Sequence, residues 1–477
     1  MDQQTLRYEQ LAEELAGLIA TRVLRVGERL PSVRRLAQEK RLSISTVVHA
    51  LRLLEERGCV EARPQSGYFV RPGCGVPLQA PRATPPARAV KVDVSSRMME
   101  VLALNHQADL IPFGAALPSA EVLPIASLQR LYSQVGRRAD RLLATASHTS
   151  INHPELVRQF VRRSLAWGQP LAADELIVTN SCTESLSLCL RAVTRMGDTV
   201  AVESPAYPLM LQLLENLGLK ALEIPTHPQH GMSVDALDIA TRERRVAACL
   251  LVSNFSNPLG CVVPDHEKQR LAQMMAERNI PVIEDDIFGD LNFGAHRPWP
   301  IKSFDTAGNV MLCASVSKTI SPTLRLGYVA AGRYHAQVLA QKTLTAGATN
   351  PITQAVVAAF MESGAYERHL RGLRRAYEKQ VLAMAEAVMR HFPPGTCLSQ
   401  PQGGFVLWVE LPEPANANQL YEAALAEGIA FFPGELFSAS GRYRNCLRLS
   451  SGCPWSPVQE DAVRRLGTLA TRLVEAA

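Results

Sequence analysis

Between residues 175 and 332 the chain repeats one pattern, a short apolar run followed by a helix-length amphipathic segment. The runs are ELIVTN, DTVAVES, AACLLVSN, IPVIEDD, NVMLCAS and RLGYVAAG. Such runs suit strands buried on both faces, and parallel strands must be joined by crossovers that are usually helical. The alternation therefore predicts an α/β domain, a mostly parallel sheet covered by helices. From about Thr353 the pattern turns helical, then yields a strand in GGFVLWVEL and a closing strand and helix around CLRLSSG, which predicts a smaller α+β lobe.

That domain does not use up the chain, which at 477 residues exceeds what one hydrophobic core usually organises. Leu6, Leu11, Leu15, Leu18 and Ile19 recur at helical spacing and predict a helix from Leu6 to Arg22. VGERLPS supplies a turn, and SVRRLAQEK and ISTVVHALRLLEERG predict two further helices broken at Arg41 to Ser43. CVEARPQSGYFV alternates about Ser66 and Gly67 as a hairpin does. Three helices and a hairpin make a winged helix-turn-helix, assigned to residues 1–72. From Arg71 to Val94 the run RPGCGVPLQAPRATPPARAVKVDV carries five prolines and no period, so a semi-rigid linker is expected over 73–105 and the large domain over 106–477.

Charge adds a modest pointer. The net charge is +5, and residues 1–71 hold 12 Lys and Arg against 9 Asp and Glu, so part of the excess sits in the N-terminal module. The ten cysteines form no Cys-x-x-Cys pair and have no histidine at zinc spacing, so neither a metal site nor a disulfide framework is expected. The start, MDQQTLRYEQLAEEL, is polar and acidic, and no apolar run approaches the roughly eighteen residues of a membrane span. A cytoplasmic protein with reduced thiols is expected.

A helix-turn-helix presents the N-terminal end of its second helix to the major groove. Ser43, Ser45, Thr46 and His49 occupy that end. Arg34 and Arg35 precede it and suit phosphates, while Arg63, Gln65 and Gly67 would form a wing tip. Singly, each has a plainer role: Ser43 as a helix cap, the arginines as solvated surface. Together GERLPSVRRLA, LSISTVVHALRLLEERG and RPQSGYFV closely resemble the winged helix of GntR-type bacterial regulators over residues 5–71. The resemblance implies double-stranded operator DNA as a partner. Ile44 departs from it, standing where the family usually carries a basic residue.

Pyridoxal chemistry needs a lysine for the cofactor aldehyde, an acid for the pyridine nitrogen and donors for the phosphate. ASVSKTISPTLRLGYVAAG places Lys318 after a strand with Ser315, Ser317 and Arg325 in reach of one phosphate. IPVIEDDIFGD ends a strand on Glu284, Asp285 and Asp286; one buried carboxylate there would pair with the ring nitrogen, a solvated acidic loop being the plainer alternative. In VTNSCTESLSLCL a strand runs into a helix, so the amides of Ser181, Cys182 and Thr183 form an anion site. SNFSNPLG offers the Asn257 amide and ESPAYP the Tyr207 ring, either of which also fits a turn or core position.

With these motifs in order, residues 110–460 resemble the fold-type I aminotransferases, pyridoxal 5'-phosphate enzymes. The resemblance implies Lys318 as the Schiff-base lysine, Asp285 at the ring nitrogen, Tyr207 stacked on the ring and Asn257 at the phenolic oxygen. It places Ser181, Cys182, Thr183, Ser315, Ser317 and Arg325 around the phosphate, and Arg448 on a substrate or effector carboxylate, with a strand-end salt bridge as the plainer role for Arg448. Two features depart. Ile287 and Phe288 stand where the family usually has a tyrosine that donates to the phenolic oxygen. ATASHTSINHPEL, near residues 144–154, lacks the tyrosine that reaches the partner subunit's phosphate.

A GntR-type winged helix followed by an aminotransferase-like domain resembles the MocR subfamily of bacterial regulators. The resemblance implies a transcription regulator that senses an amino acid, a related amine or the cofactor itself, working as a head-to-tail homodimer. Its rival is an active aminotransferase with an accessory DNA-binding domain. The missing tyrosine favours weak transamination at most, because an effector must exchange at the lysine but needs no efficient proton transfer.

Overall fold

The computed structural model describes residues 7–20, 24, 28–56, 59–63, 67–70, 80–84, 88–104, 110–144, 152–243 and 245–475. They belong to two compact units divided between Gln79 and Ala80.

In the first unit, α1 (Arg7–Ala20) buries Leu11, Leu15 and Ile19, four residues apart and so on one helical face. That face packs on α3 (Ile44–Glu56), whose Val47, Ala50, Leu51 and Leu54 are fully buried. Each valine, leucine or isoleucine side chain so removed from water contributes about 1.5–3 kcal/mol. Between them α2 (Val33–Lys40) starts at Ser32, whose hydroxyl accepts from the Arg35 amide at 3.3 Å, and stops at Arg41, which turns left-handed at φ 51°. The hairpin pairs β1 (Val60–Arg63) with β2 (Gly67–Val70), Val60 opposite Val70 and Arg63 opposite Gly67. Gln65 and the hairpin turn lie outside the described residues. Cys59, just before β1, is disulfide-bonded, which corrects the expectation of reduced thiols throughout; eight cysteines of the larger unit are free.

The larger unit is built on a nine-stranded sheet. Its strands run in the order Val90–Lys91, Lys220–His227, Thr199–Ser204, Ala248–Leu251, Val282–Asp285, Val310–Ser315, Gly327–Ala330 and Leu176–Thr179, with Gly231–Met232 paired to Lys220–His227. Neighbours from Lys220–His227 through Val310–Ser315 are parallel, and Gly327–Ala330 is antiparallel to both strands beside it. Residues 282–285, 248–251 and 310–315 are buried throughout, as a sheet covered on both faces requires. The smaller lobe centres on a four-stranded antiparallel sheet, Cys397–Leu398, Val406–Glu410, Cys446–Ser450 and Phe432–Pro433, and the closing helix Pro457–Glu475 packs on the long helix Ala365–His391.

The stretch expected as linker divides. Residues 71–79 lie outside the described residues, whereas from Ala80 onward the chain belongs to the larger unit. There the Thr84 hydroxyl donates to the Ser204 carbonyl at 2.9 Å, Val90–Lys91 extends the large sheet, and Ser95–Leu104 is a helix.

Candidate functional site

In sheets of this kind ligands bind beyond the carboxyl ends of the strands, and the sequence motifs collect at that edge. Asp285 is the last residue of its strand and Ser315 of the next; Ser181 and Tyr207 cap the helices Cys182–Val193 and Pro208–Asn216 that follow two others. Asn257 and Lys318 lie in loops beyond strand ends.

Lys318 is buried, and its ammonium donates to the carbonyl of Ala116. Burial, reinforced by the Arg448 charge, pushes its pKa down to about 8. Asp285 is also buried. Its Oδ1 accepts from the Cys182 thiol at 3.2 Å and the Ile287 amide at 3.0 Å, yet burial dominates and raises its pKa to about 6. Arg448, 2% exposed, donates to the Gly114 carbonyl and, at 3.3 Å, to Asn257 Oδ1, while its Nε has no partner. Phe432 and Phe437 lie 4.6 and 5.6 Å from its guanidinium, and burial lowers its pKa to about 10. Tyr207, half-buried, interacts electrostatically with Arg448, Asp285 and Cys182, and burial raises its pKa to about 12. Lys318, Asp285, Cys182, Arg448, Asn257 and Tyr207 thus form one cluster.

Beside it lie the groups assigned to a phosphate. The Ser181 hydroxyl accepts from the Glu184 amide at 3.0 Å and so caps its helix. Ser315 Oγ lies 2.7 Å from Ser317 Oγ and 3.1 Å from the Leu326 carbonyl oxygen. Arg325 is exposed, with left-handed backbone at φ 47°. Gly327 lets the strands close on this corner: a Cβ there would stand 2.7 Å from the Ser181 carbonyl carbon, 2.8 Å from the Ala314 oxygen and 3.0 Å from the Cys182 nitrogen. Thr183, half-buried, follows Cys182 in the first turn of the helix.

The three consecutive carboxylates do not form a solvated loop, since Glu284, Asp285 and Asp286 are all buried. Glu284 accepts from Ser253 Oγ and from the amides of Ile301 and Lys302, at 2.7 and 3.0 Å. Asp286 pairs with Arg297 and accepts from Asn254 Nδ2 at 3.0 Å. Only Asp285 is left to the cluster around Lys318. Phe288, where a tyrosine would be expected, is buried edge-on against Phe405 at 5.5 Å. Of ATASHTSINHPEL, residues 145–151 lie outside the described residues; Asn152 clasps the strand Leu176–Thr179, donating to the Leu176 carbonyl at 2.7 Å and accepting from the Val178 amide at 2.8 Å.

Several participants escaped sequence reasoning. Gly114 and Ala116 act through main-chain carbonyls, which leave no side-chain signature. The Cys182 thiol was read only for its amide. Glu203, 2% exposed, holds the Val252 amide at 2.9 Å on Oε2, leaves Oε1 without a partner, and is pushed up to about 8 by burial.

In the first unit Ser43, Ser45 and Thr46 form one hydroxyl cluster, Ser43 Oγ lying 2.8 Å from Ser45 Oγ, 2.7 Å from Thr46 Oγ1 and 3.1 Å from the Thr46 amide it caps. His49 Nδ1 lies 3.1 Å from the Ser45 carbonyl. Arg34 is exposed, whereas Arg35 is ion-paired with Glu39 at 2.7 Å and Arg63 with Glu61 at 2.7 Å, the latter stacked 4.3 Å over Phe69. Gly67, at φ 98°, lies against Arg29, which sequence reasoning missed; a Cβ there would stand 3.3 Å from Arg29 Nε. Among the described residues no group of His, Cys, Asp and Glu is placed to hold a metal ion, and no helix is long and apolar enough to cross a membrane.

Fold and site together define a DNA-reading winged helix fused to an aminotransferase-like domain. Residues 7–70 match the family model for bacterial regulatory proteins of the gntR family, and residues 134–460 that for aminotransferase class I and II. The chain belongs to the HTH-type transcriptional regulators that carry an aminotransferase-like domain, the MocR architecture. It is 36% identical to the uncharacterized HTH-type transcriptional regulator YjiR of Escherichia coli (98% of this chain, 100% of the relative) and 34% identical to YdcR of the same organism (97% and 98%). Among solved structures it is similar to LysN, an α-aminoadipate aminotransferase of Thermus thermophilus complexed with N-(5'-phosphopyridoxyl)-L-leucine, at 26% identity and a TM-score of 0.72, over 81% of this chain and 97% of that one.

Proposed function

We propose that this regulator holds pyridoxal 5'-phosphate on Lys318 and changes its DNA binding when an amino acid, a related amine or the cofactor itself engages that site. The carrying observation is the cluster around Lys318: a buried amine of lowered pKa, a buried carboxylate and a buried arginine with an orphaned Nε. A buried polar group without a partner costs about 1–3 kcal/mol, so a site that keeps one is suited to a ligand that supplies it. The cofactor, when bound, supplies an aldehyde that condenses with amines and a ring that withdraws electrons. Asp285 would face the ring nitrogen, Tyr207 the ring and Asn257 the phenolic oxygen. Ser181, Cys182, Thr183, Ser315, Ser317 and Arg325 would take the phosphate. Arg448 would receive an effector carboxylate.

The DNA-reading groups in this proposal are Arg34, Arg35, Ser43, Ser45, Thr46, His49, Arg63 and Gly67, with Arg29 added at the wing. A cytoplasmic location and a head-to-tail homodimer belong to the same reading. Phe288 separates it from the rival enzyme, since its buried ring puts no hydroxyl at the site. Purified protein should be yellow, with an absorbance band that borohydride bleaches while fixing the cofactor's mass to a peptide containing Lys318. Lys318→Ala should lose that mass, and retention of it elsewhere would refute the assignment. Turnover with an amino donor and a keto acid should stay orders of magnitude below the enzyme median of about 10 per second; turnover near that median, with no DNA sequence retained, would make the chain an enzyme.

A further inference from the structure

The N-terminal end of α3 carries an exposed apolar side chain, Ile44, 56% accessible although an isoleucine's ordinary place is a core. Val48, half-buried, lies one turn further on the same edge of the helix, so the two form a short apolar ridge. The hydroxyls flanking it, Ser43, Ser45 and Thr46, are bonded to one another and to the Thr46 amide. The projecting group at this helix end is thus apolar.

We propose that Ile44, backed by Val48, reads thymine methyl groups in the major groove and so sets part of this regulator's operator preference. The inference rests on the DNA-binding reading of the unit, which the family match over residues 7–70 supports together with the exposed Arg34 and the wing arginine Arg29. An aliphatic side chain offers base edges neither a donor nor an acceptor. Of the features the four base pairs display in the major groove, only the C5-methyl of thymine is apolar. A basic residue at the same place would favour guanine, whose O6 and N7 both accept. An aliphatic side chain such as Ile44 at this place therefore favours thymine over guanine.

The full-length protein is first used to select from a randomised duplex library at fixed salt. In the best sequence each thymine is then replaced singly by uracil, which removes only the methyl group. At one position per half-site, uracil should weaken wild-type binding about fourfold, the equivalent of about 0.8 kcal/mol for one buried methyl. Ile44→Ala should bind more weakly and lose the uracil effect at that position, a non-additivity that assigns the methyl to Ile44 rather than to altered DNA shape. Ile44→Arg should shift the selected base toward guanine. Because Ile44 is exposed these variants should fold, and an unchanged thermal transition confirms that they have. A defined sequence that tolerates uracil at every thymine, or an Ile44→Ala protein that keeps the full uracil effect, overturns the inference while leaving DNA binding intact. Failure to enrich any sequence overturns both.

Discussion

Lys318, Asp285 and Arg448 share a cause for their behaviour: each is a charge taken out of water, and each moves toward its neutral form. Glu203 shows the same physics without a partner on Oε1, and so offers a clean test. Its pKa in the folded chain is raised from 4.5 to about 8 by burial, so the folded state binds the proton more tightly than the unfolded one. The stability this proton confers is complete below about pH 4.5 and drains as pH rises through about 8. Glu203→Gln stays neutral and can still accept from the Val252 amide. Its thermal midpoint should therefore fall less than the wild-type midpoint between about pH 6 and pH 9. Parallel curves would show that Glu203 is already ionised in the folded chain. Residues of this kind were half legible: a lysine after Ser-x-Ser announces itself, whereas a glutamate inside an apolar strand gives no sign of whether it faces solvent or core.

At the scale of elements, the junction of the strand Gly327–Ala330 with the start of the helix Cys182–Val193 is the most demanding piece of packing near the site. Gly327→Ala must push aside main-chain atoms 2.7 to 3.0 Å from the new Cβ, and main chain cannot rotate away as a side chain can. Overpacking of this sort costs about 1–3 kcal/mol. Because the displaced atoms belong to Ser181, Cys182 and Ala314, cofactor retention should fall at least tenfold, measured by equilibrium dialysis. Unchanged affinity would remove this corner from the phosphate site. On the winged helix, Arg34→Ala should lower the salt slope of DNA binding by about one. Arg35→Ala should change it less, since Glu39 already holds that guanidinium. Equal effects would mean that the ion pair opens on DNA. The sequence placed both arginines on one helix but left this difference hidden, because an i,i+4 partner is one choice among several rotamers.

In the proposed function the molecule as a whole couples a DNA-reading unit to an amine-sensing one, and thermodynamics constrains that coupling whatever its path. If an amine changes operator affinity by some factor, the operator must change the amine's affinity by the same factor. Spectral titration of the cofactor band with an effective amine, with and without operator DNA, should return the factor found by DNA titration with and without the amine. A DNA effect with no reciprocal shift would place the amine at a site other than Lys318. The sequence by itself determined the winged helix, the parallel core of the large sheet and the expectation that Lys318, Asp285, Asn257 and Arg448 share one site, since apolar periodicity and short motifs are written along the chain. Only the tertiary structure decided that the chain from Ala80 joins the larger unit, that of three adjacent carboxylates Asp285 alone serves the cluster, and that Gly114 and Ala116 close on Arg448 and Lys318. Those two contacts span 334 and 202 residues and use main-chain carbonyls, which every residue possesses, so no local pattern could single them out.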